Sequence, residues 1–285
     1  MELLVAFDDD PAGSRMAAHL AANMESDGPA GGGGDAKSAY DARISGFWRS
    51  RHYDMITIST PAISADWLED TKVARAGGYD GYVFLSRHSA ESGVLALTCH
   101  STGNFGRAEF GGNDSEVALP HPHLQRAYLR RIHEEKEGSG RFGEFDITIE
   151  ATHHGPSALG RPALFIEVGT TQEQWGDDAL CGMVADAVHE TVSSKVDTSS
   201  PVAVCFGGTH YPQKFTDEIL HGRRALGTVI PKRAMPQIDG ALFRHILERN
   251  GMATEALLDW GGIPGPDKGR IVELLAESGL EVSRV

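Results

Sequence analysis

The sequence has few cysteines and no long apolar run, and each shortage excludes a class of protein. Its three cysteines lie far apart without a CxxC pair, which argues against a disulfide framework or a cysteine-rich zinc module. No run of about 18 apolar residues is present, and the acidic start MELLVAFDDDP does not resemble a secretion signal. We therefore expect a soluble cytoplasmic protein with no membrane partner.

Lysine is also scarce, and negative charge dominates the chain. Forty acidic residues stand against 26 basic ones, of which seven are lysine, and the net charge is −14. Such a surface either opposes binding to a polyanion or keeps a protein soluble in concentrated salt. Charge alone therefore argues against a nucleic-acid partner.

Short apolar segments alternate with helical patterns along the chain. Strand patterns occur at 2–7, 55–58, 82–85, 94–99, 163–168 and 202–206, and helical spacing at 14–24, 120–137 and 177–194. This alternation predicts one α/β domain over residues 1–285, with a mixed central sheet flanked by helices. The glycine-rich residues 25–39 predict a flexible insertion, and residues 254–260 predict a further helix.

Two of the predicted strands lead into a histidine. His88 follows the strand at 82–85, and His100 follows the strand at 94–99. Sheets of α/β proteins place their functional sites at the carboxyl ends of strands. We therefore expect both histidines at the same edge of the sheet.

The stretch ATHHGPSALGRPALFIEVGTTQEQW concentrates polar groups suited to a functional site. His153 and His154 are adjacent, and in an extended chain they would point to opposite faces. We expect the turn at Gly155 and Pro156 to bring both rings to one pocket. Glu167 interrupts the apolar strand LFIEV, where an unpaired carboxylate would be costly, so it requires a metal, a histidine or an arginine as partner.

Histidine and carboxylate are the usual ligands of a catalytic zinc ion. The sequence has no HExxH pair, no GxSxG elbow and no cysteine–histidine pair with a clear orienting group. Metal-activated water is therefore a better hypothesis than a serine or cysteine nucleophile. The alternatives are structural hydrogen bonds for the histidines and an inert ion pair for Glu167. The candidate ligands are His100, His153, His154, Glu167 and His210.

Two further polar residues are candidates for the chemistry. Asn104 follows a glycine and is a candidate oxyanion donor, with a turn role as the alternative. Thr170 is a candidate for the same task, with capping of the next helix as the alternative. The sequence does not separate these interpretations.

Three motifs in the same order resemble the archaeal and plant type of D-aminoacyl-tRNA deacylase, first described as a D-tyrosyl-tRNA deacylase. They are SRHSAESGVLALTCHSTGNF at 86–105, THHGPSALGRPALFIEVGTTQEQW at 152–175 and FGGTHYPQKFTD at 206–217. Together with the start LLVAFDDDPAGSRMA they spread the resemblance over most of the chain.

The resemblance implies a hydrolase with one or two zinc ions. Such an enzyme cleaves the ester of a D-aminoacyl-tRNA, for example D-Tyr-tRNA, and releases the D-amino acid and the tRNA. The fold would be similar to those of peptidyl-tRNA hydrolase and the phosphorylases, and we expect a monomer.

The resemblance carries over His88, His100, Asn104, His153, His154, Gly155, Glu167, His210 and Tyr211 as motif positions, and their chemistry and that of Thr170 suggest individual roles. His154, Glu167, Asn104 and Thr170 would serve catalysis, while His88 and Tyr211 would contact the substrate. Because the chain is acidic, tRNA would bind through local basic positions and through 3′-end stacking and shape. The basic candidates are Arg126, Arg130, Arg131, Arg161, Arg223, Arg224, Lys232 and Arg233.

Two other functions remain open at this point. One is a peptidyl-tRNA hydrolase or a metal-dependent amidohydrolase that acts on small N-acylated compounds. The other is a metal-binding or RNA-binding protein without enzymatic activity. Cleavage of small esters without tRNA would favour the first, and tight tRNA binding without cleavage would favour the second.

Overall fold

The larger of two β-sheets has eight strands in the order β2-β3-β4-β1-β5-β8-β6-β7. The computed structural model describes residues 1–22, 24–26, 41–90 and 93–285. Strand β3 is antiparallel to β4, and β6 is antiparallel to β8, so the sheet is mixed. The predicted α/β architecture with a mixed sheet is therefore confirmed. The strands are β1 (Glu2–Phe7), β2 (Glu25–Ser26), β3 (Ile44–Arg49), β4 (Tyr53–Ile58), β5 (Gly81–His88), β6 (Ala96–His100), β7 (Asp146–Ile149) and β8 (Ala163–Gly169).

A second sheet of four parallel strands was not predicted. Its order is β10-β9-β11-β12, with β9 (Val202–Phe206), β10 (Ala225–Ile230), β11 (Glu255–Leu258) and β12 (Glu281–Arg284). The helix predicted over 254–260 is wrong, because β11 occupies this segment between β9 and β12. A strand buried on both faces has a continuous apolar pattern, which in so short a segment resembles a buried helix.

Eight α-helices surround the sheets in the described ranges, and three of them begin at an aspartate. Asp10, Asp177 and Asp239 each accept hydrogen bonds from backbone amides of the first turn, which satisfies donors that the helix leaves free. None of the described helices is long and apolar enough to cross a bilayer. The helices are α1 (Pro11–Ala21), α2 (Lys72–Gly77), α3 (Pro122–Ser139), α4 (Gln172–Trp175), α5 (Asp178–Ser193), α6 (Gln213–His221), α7 (Gly240–Arg249) and α8 (Gly265–Ala276), and 3₁₀ turns lie at Ala62–Asp70, Lys232–Gln237 and Trp260–Gly262.

Different elements pack against the two faces of the large sheet. Leu4, Val83 and Leu97 on one face belong to a core that includes side chains of α1, α3 and α5 and of the second sheet. Phe84 and Phe165 on the other face pack with the 3₁₀ turn at 62–70. This second face continues into the candidate site.

The predicted insertion at 25–39 is only partly described. Glu25–Ser26 pairs with Trp48 and Arg49 of β3. Residues 27–40 lie outside the described residues, so the flexibility expected of the glycine-rich part stays a prediction.

Candidate metal centre and active site

Strand alternation places two histidines and two carboxylates on one face of the large sheet. Glu167 of β8 is paired with Ser86 of β5 and Thr98 of β6, and paired residues share a face. His88 and His100 lie two residues further along those strands, so they point to the same side. Glu150 directly follows β7, and its backbone amide donates to the carbonyl of Cys99, which aligns it beside His100.

The expectation that His88 and His100 lie at the same edge is wrong. Strand β8 lies between β5 and β6, and β6 runs antiparallel to it, so the carboxyl ends of β5 and β6 point in opposite directions. Glu167 contacts both histidines from the middle strand. The site is therefore built on a face of the sheet.

His153 and His154 converge because the backbone turns at His154 itself. Its φ of 43° lies in the left-handed region, which histidine enters more readily than most residues. The change of direction brings the two rings to one side, with centroids 4.4 Å apart. The amide of Gly103 donates to the His154 carbonyl over 2.7 Å and ties the turn to the loop after β6.

His210 reaches the cluster from the second sheet. The chain leaves β9 through Gly207 and Gly208, both with positive φ, and a Cβ at Gly207 would lie 2.6 Å from the Asp259 carbonyl oxygen. The amide of Ala151 then donates to the His210 carbonyl over 2.8 Å. The ring centroids of His210 and His153 are 4.7 Å apart as a result.

These side chains line a cavity of about 1080 Å³. Its walls combine the polar cluster with the loop after β6, the end of β5 and the 3₁₀ turn after β10. Among the lining residues are His88, Glu150, His153, His154, Glu167, His210, Arg87, Arg107, Phe110 and Arg233.

Three histidines share one hydrogen-bond pattern. The Nδ1 atoms of His100, His153 and His154 lie 3.1, 2.9 and 2.7 Å from the carbonyl oxygens of Ser101, Ala151 and Gly155. Since a carbonyl can only accept, Nδ1 carries the proton in each ring. Nε2 is therefore the atom with which each ring, when neutral, can bind a metal ion, and a hydrogen bond from Nδ1 to a carbonyl is characteristic of metal-binding histidines.

The ligand atoms are spaced as a metal site requires. Two atoms bound to a tetrahedral zinc ion at about 2.0–2.1 Å stand roughly 3.4 Å apart. Nε2 of His100 lies 3.6 Å from Glu167 Oε1, and Nε2 of His153 lies 3.7 Å from Glu150 Oε2. Among the described residues, three groups hold three possible ligand atoms within 4.8 Å of one another, namely His100, His153 and His154; Glu150, His153 and His210; and His88, Glu150 and Glu167.

Glu150 lacks the hydrogen bonds that a buried carboxylate needs. It is 1% exposed, and among the described residues neither of its oxygens has a hydrogen-bond partner. His210 Nε2 approaches Oε2 to 2.7 Å, but without hydrogen-bond geometry. A cation between these atoms would offset the cost of burial, so the residues fit a metal ion.

His88 links the two carboxylates. Its Nδ1 lies 3.1 Å from Glu150 Oε1 and 3.2 Å from Glu167 Oε2, and its Nε2 lies 2.6 Å from the Tyr211 hydroxyl. Burial opposes protonation, but the two carboxylates outweigh it and raise the pKa of His88 to about 11. The charged ring donates from Nδ1 to Glu167 and from Nε2 to the Tyr211 hydroxyl.

Most of the other groups are in the charge states that metal binding requires. His100 is the exception: burial opposes its protonation, but Glu167 and Glu150 outweigh burial and raise its pKa, so a metal ion would displace a proton from this ring. Burial and the neighbouring His100 hold the pKa of His153 well below its usual range and lower that of His154 to about 4. Burial opposes ionisation of Glu150 and Glu167, but the surrounding histidines lower the pKa of both carboxyls. Neutral imidazoles and ionised carboxylates are the forms that bind zinc.

Two predicted catalytic residues have other tasks. The Asn104 side-chain nitrogen donates to the carbonyls of Gly111 over 2.9 Å and Asn113 over 3.2 Å, so its donors are occupied and it shapes a loop. Thr170 is not among the residues that line the cavity, and its hydroxyl donates to the Val94 carbonyl. The structure supports an oxyanion role for neither side chain.

The predicted substrate contacts of His88 and Tyr211 are also unsupported. Both ring nitrogens of His88 are engaged, and His88 is 3% exposed. The Tyr211 hydroxyl is hydrogen-bonded to Nε2 of His88, and Tyr211 does not line the cavity. These residues position the carboxylates.

Most predicted tRNA contacts serve the fold instead. Arg126 and Arg130 donate to carbonyls at the end of α6, and Arg131 pairs with Glu134, Glu135 and Glu190. The helical pattern in the sequence indicates that these arginines face away from the apolar stripe, but it does not show which distant carbonyls and carboxylates they bind. The same holds for Arg161, which pairs with Glu69, and for Arg223 and Arg224, which pair with Glu255.

Lys232 and Arg233 are both exposed. Within the described ranges neither has a carboxylate within 4.0 Å, and Arg233 lines the cavity. Arg87 and Arg107 line it as well, although sequence reasoning missed them.

Glu150 is the functional candidate that sequence reasoning missed. It ends the segment FDITIE, where alternation makes a carboxylate look like an ordinary solvent-facing residue. The available signal was its position, since it stands three residues before the histidine pair.

Comparisons with known proteins agree over most of the chain. The family described as D-aminoacyl-tRNA deacylase matches residues 76–283. A D-aminoacyl-tRNA deacylase of Cenarchaeum symbiosum is 54% identical over 285 residues, which is 99% of each chain. One of Ignicoccus hospitalis is 36% identical over 205 residues, covering 71% of this chain and 80% of the relative.

A solved structure has the same fold. The crystal structure of a conserved protein of unknown function superimposes with a TM-score of 0.88 at 26% identity, over 100% of this chain and 95% of the other. With a family match over most of its length and a full-length relative at 54% identity, this chain belongs to the D-aminoacyl-tRNA deacylase family.

Proposed function

We propose that this protein hydrolyses the ester bond between a D-amino acid and the 3′ end of tRNA, with zinc as cofactor. The observation that carries the proposal is the convergence of His153, His154 and His210 with the ionised Glu150 and Glu167 on one cavity, beside the buried His100, in a chain of this family. A cavity of about 1080 Å³ has room for an aminoacyl group together with a terminal nucleoside.

Two ligand groups are available for zinc. His100, His153 and His154 would hold one ion and leave a coordination position open, which is typical of catalytic sites. Glu150 and His210 would hold a second ion beside His153. When bound, the ion supplies Lewis acidity, which lowers the pKa of a coordinated water towards about 7.

Glu167 is the proposed proton carrier. Its Oε1 lies 3.6 Å from His100 Nε2 and 4.0 Å from His154 Nε2, so a water among these atoms is within reach of an ionised carboxylate. In hydrolysis the water oxygen bonds to the ester carbon, the bond to the ribose oxygen breaks, and the ribose oxygen gains a proton. Glu167 accepts the proton from water and returns it to the ribose oxygen, while His88 fixes its other oxygen.

The decisive assay compares D-Tyr-tRNA with L-Tyr-tRNA before and after chelation. We expect release of D-tyrosine, little release of L-tyrosine, loss of activity with chelator and recovery on addition of zinc. Equal rates on the two enantiomers would remove the chirality part of the proposal, and full activity after verified metal removal would remove the zinc part. Cleavage of peptidyl-tRNA in place of D-Tyr-tRNA would replace the proposed substrate.

A further inference from the structure

Phe110 is an exposed aromatic side chain at the wall of the cavity. It is 65% exposed, more than any other large apolar residue in the described ranges. It lines the same cavity as His153 and His154. An apolar ring left in water at the wall of a polar cavity suggests a partner with an apolar face.

The loop that carries Phe110 is held firmly. The amide of Gly155, next to His154, donates to the Phe110 carbonyl over 2.9 Å. Gly111 and Gly112 follow with φ of 74° and 75°, and a Cβ at Gly111 would lie 1.9 Å from the Ile63 carbonyl oxygen. The backbone of Phe110 is therefore fixed relative to the histidine cluster.

Three arginines accompany Phe110. Arg87, Arg107 and Arg233 are exposed and line the cavity from three separate segments. Across 1–22, 24–26, 41–90 and 93–285, no carboxylate lies within 4.0 Å of any of them, although the exposed Glu109 and the buried Asp10, Glu150 and Glu167 line the same cavity. Unneutralised arginines in a chain of net charge −14 mark a local site for an anion.

We propose that Phe110 is the platform on which the terminal adenine base of the tRNA stacks, and that Arg107 and Arg233 contact the phosphates of the single-stranded 3′ end. Aromatic rings bind bases through their faces, and arginines follow the backbone. Held beside His154 by the Gly155 hydrogen bond, the platform sets the distance from the last base to the hydrolytic centre. This inference rests on the proposed function, because it assumes a tRNA ester at the histidine cluster.

The test measures binding without cleavage. An RNA minihelix that ends in single-stranded CCA carries 2-aminopurine in place of the terminal adenine, and its fluorescence is titrated with the zinc-loaded protein. Stacking on Phe110 quenches the probe. Phe110→Ala and Phe110→Leu should weaken binding by between about 5-fold and 150-fold and abolish the quenching, whereas Phe110→Trp should preserve both.

Matched variants separate stacking from general effects. Met252→Ala removes a side chain that is 54% exposed and lies outside the cavity lining, and it should bind like the unmodified protein. Arg233→Ala should reduce the slope of log affinity against log salt by about 0.7, whereas Arg51→Ala, an exposed arginine outside the cavity lining, should not.

Two results would overturn the platform. One is unchanged affinity and quenching in Phe110→Ala, and the other is equal binding by the leucine and tryptophan variants. Both are distinct from a failure of the proposed function, which would show as stacking of the minihelix without hydrolysis of D-Tyr-tRNA.

Discussion

His210 Nε2 lies 2.7 Å from Glu150 Oε2, and this contact joins residues from the two sheets. Glu150 follows β7 of the large sheet, while His210 lies in the loop after β9 of the second sheet. Two backbone hydrogen bonds hold this junction: the amide of Ala151 donates to the His210 carbonyl, and the amide of Thr152 donates to the Val229 carbonyl. The site therefore forms only when the two sheets are packed together.

Glu150→Gln tests whether this carboxylate holds the metal centre together. The amide keeps the volume but removes the negative charge that faces His88 and His210. We expect hydrolysis of D-Tyr-tRNA to fall by about 100-fold or more and bound zinc to decrease. Activity and zinc content by atomic emission are measured together, with Glu144→Gln as an exposed control. Normal values of both in Glu150→Gln would show that the carboxylate is not part of the centre.

Removal of zinc should lower the stability of the protein. Because the ligands come from both sheets, an ion that binds the folded chain stabilises their packing. Zinc at 100 times its dissociation constant should add about 2.7 kcal/mol to the free energy of unfolding, measured by urea denaturation with and without chelator. His210→Ala, which removes the ligand from the second sheet, should lose this gain, and His52→Ala, an exposed histidine outside the cluster, should keep it. Equal stability of the metal-free and zinc-loaded forms would contradict the prediction.

The sequence predicted many of the candidate ligands but little of their arrangement. His100, His153 and Glu167 could be named because each interrupts an apolar strand or adjoins a turn. The sequence could not show that these side chains share one face of the sheet. That arrangement depends on β8 lying between β5 and β6, and strand order is decided by contacts between distant residues. Glu150 was missed for the same reason, since nothing local distinguishes a buried alternating strand end from an exposed one.

The arginines of α3 show a second limit of sequence reasoning. Helical spacing places Arg126 and Arg130 away from the apolar stripe, and that is where they lie. Their acceptors are carbonyls of Ile219 and Gly222, about 90 positions later in the chain. Periodicity identifies the face of a helix but not its neighbour.

Arg130→Ala should therefore reduce stability without weakening tRNA binding. The change leaves the Ile219 and Gly222 carbonyls without these donors, which should cost about 1–3 kcal/mol of unfolding free energy. KM for D-Tyr-tRNA and its salt dependence should match the unmodified protein. Urea denaturation and steady-state kinetics at two salt concentrations provide the check. A raised KM with a shallower salt slope at full stability would return Arg130 to the tRNA interface.

Glu255 should make the stability of the second sheet depend on pH. It is 3% exposed at the start of β11, and its oxygens lie 2.5 Å from Arg224 Nε and 2.6 Å from Arg223 Nη2. Burial opposes ionisation, but the two arginines outweigh it and hold the pKa of Glu255 below its usual 4.5. The folded state therefore gains stability above the usual pKa and loses it as pH falls through the lowered one.

Glu255→Gln removes the charge but keeps the shape, so its cost should depend on pH in the same sense. At neutral pH it should lower the unfolding free energy by about 3 kcal/mol, because Arg224 and Arg223 lose a buried charged partner and Arg224 keeps only Glu218. The difference from the unmodified protein should shrink as pH falls below 4.5, because the carboxyl of the unfolded chain then takes up a proton more readily than the folded one does. Urea denaturation near neutral pH and at about pH 3.5 measures both differences, with Glu277→Gln as an exposed control. A deficit of the same size at both pH values would mean that packing, and not charge, accounts for the role of Glu255.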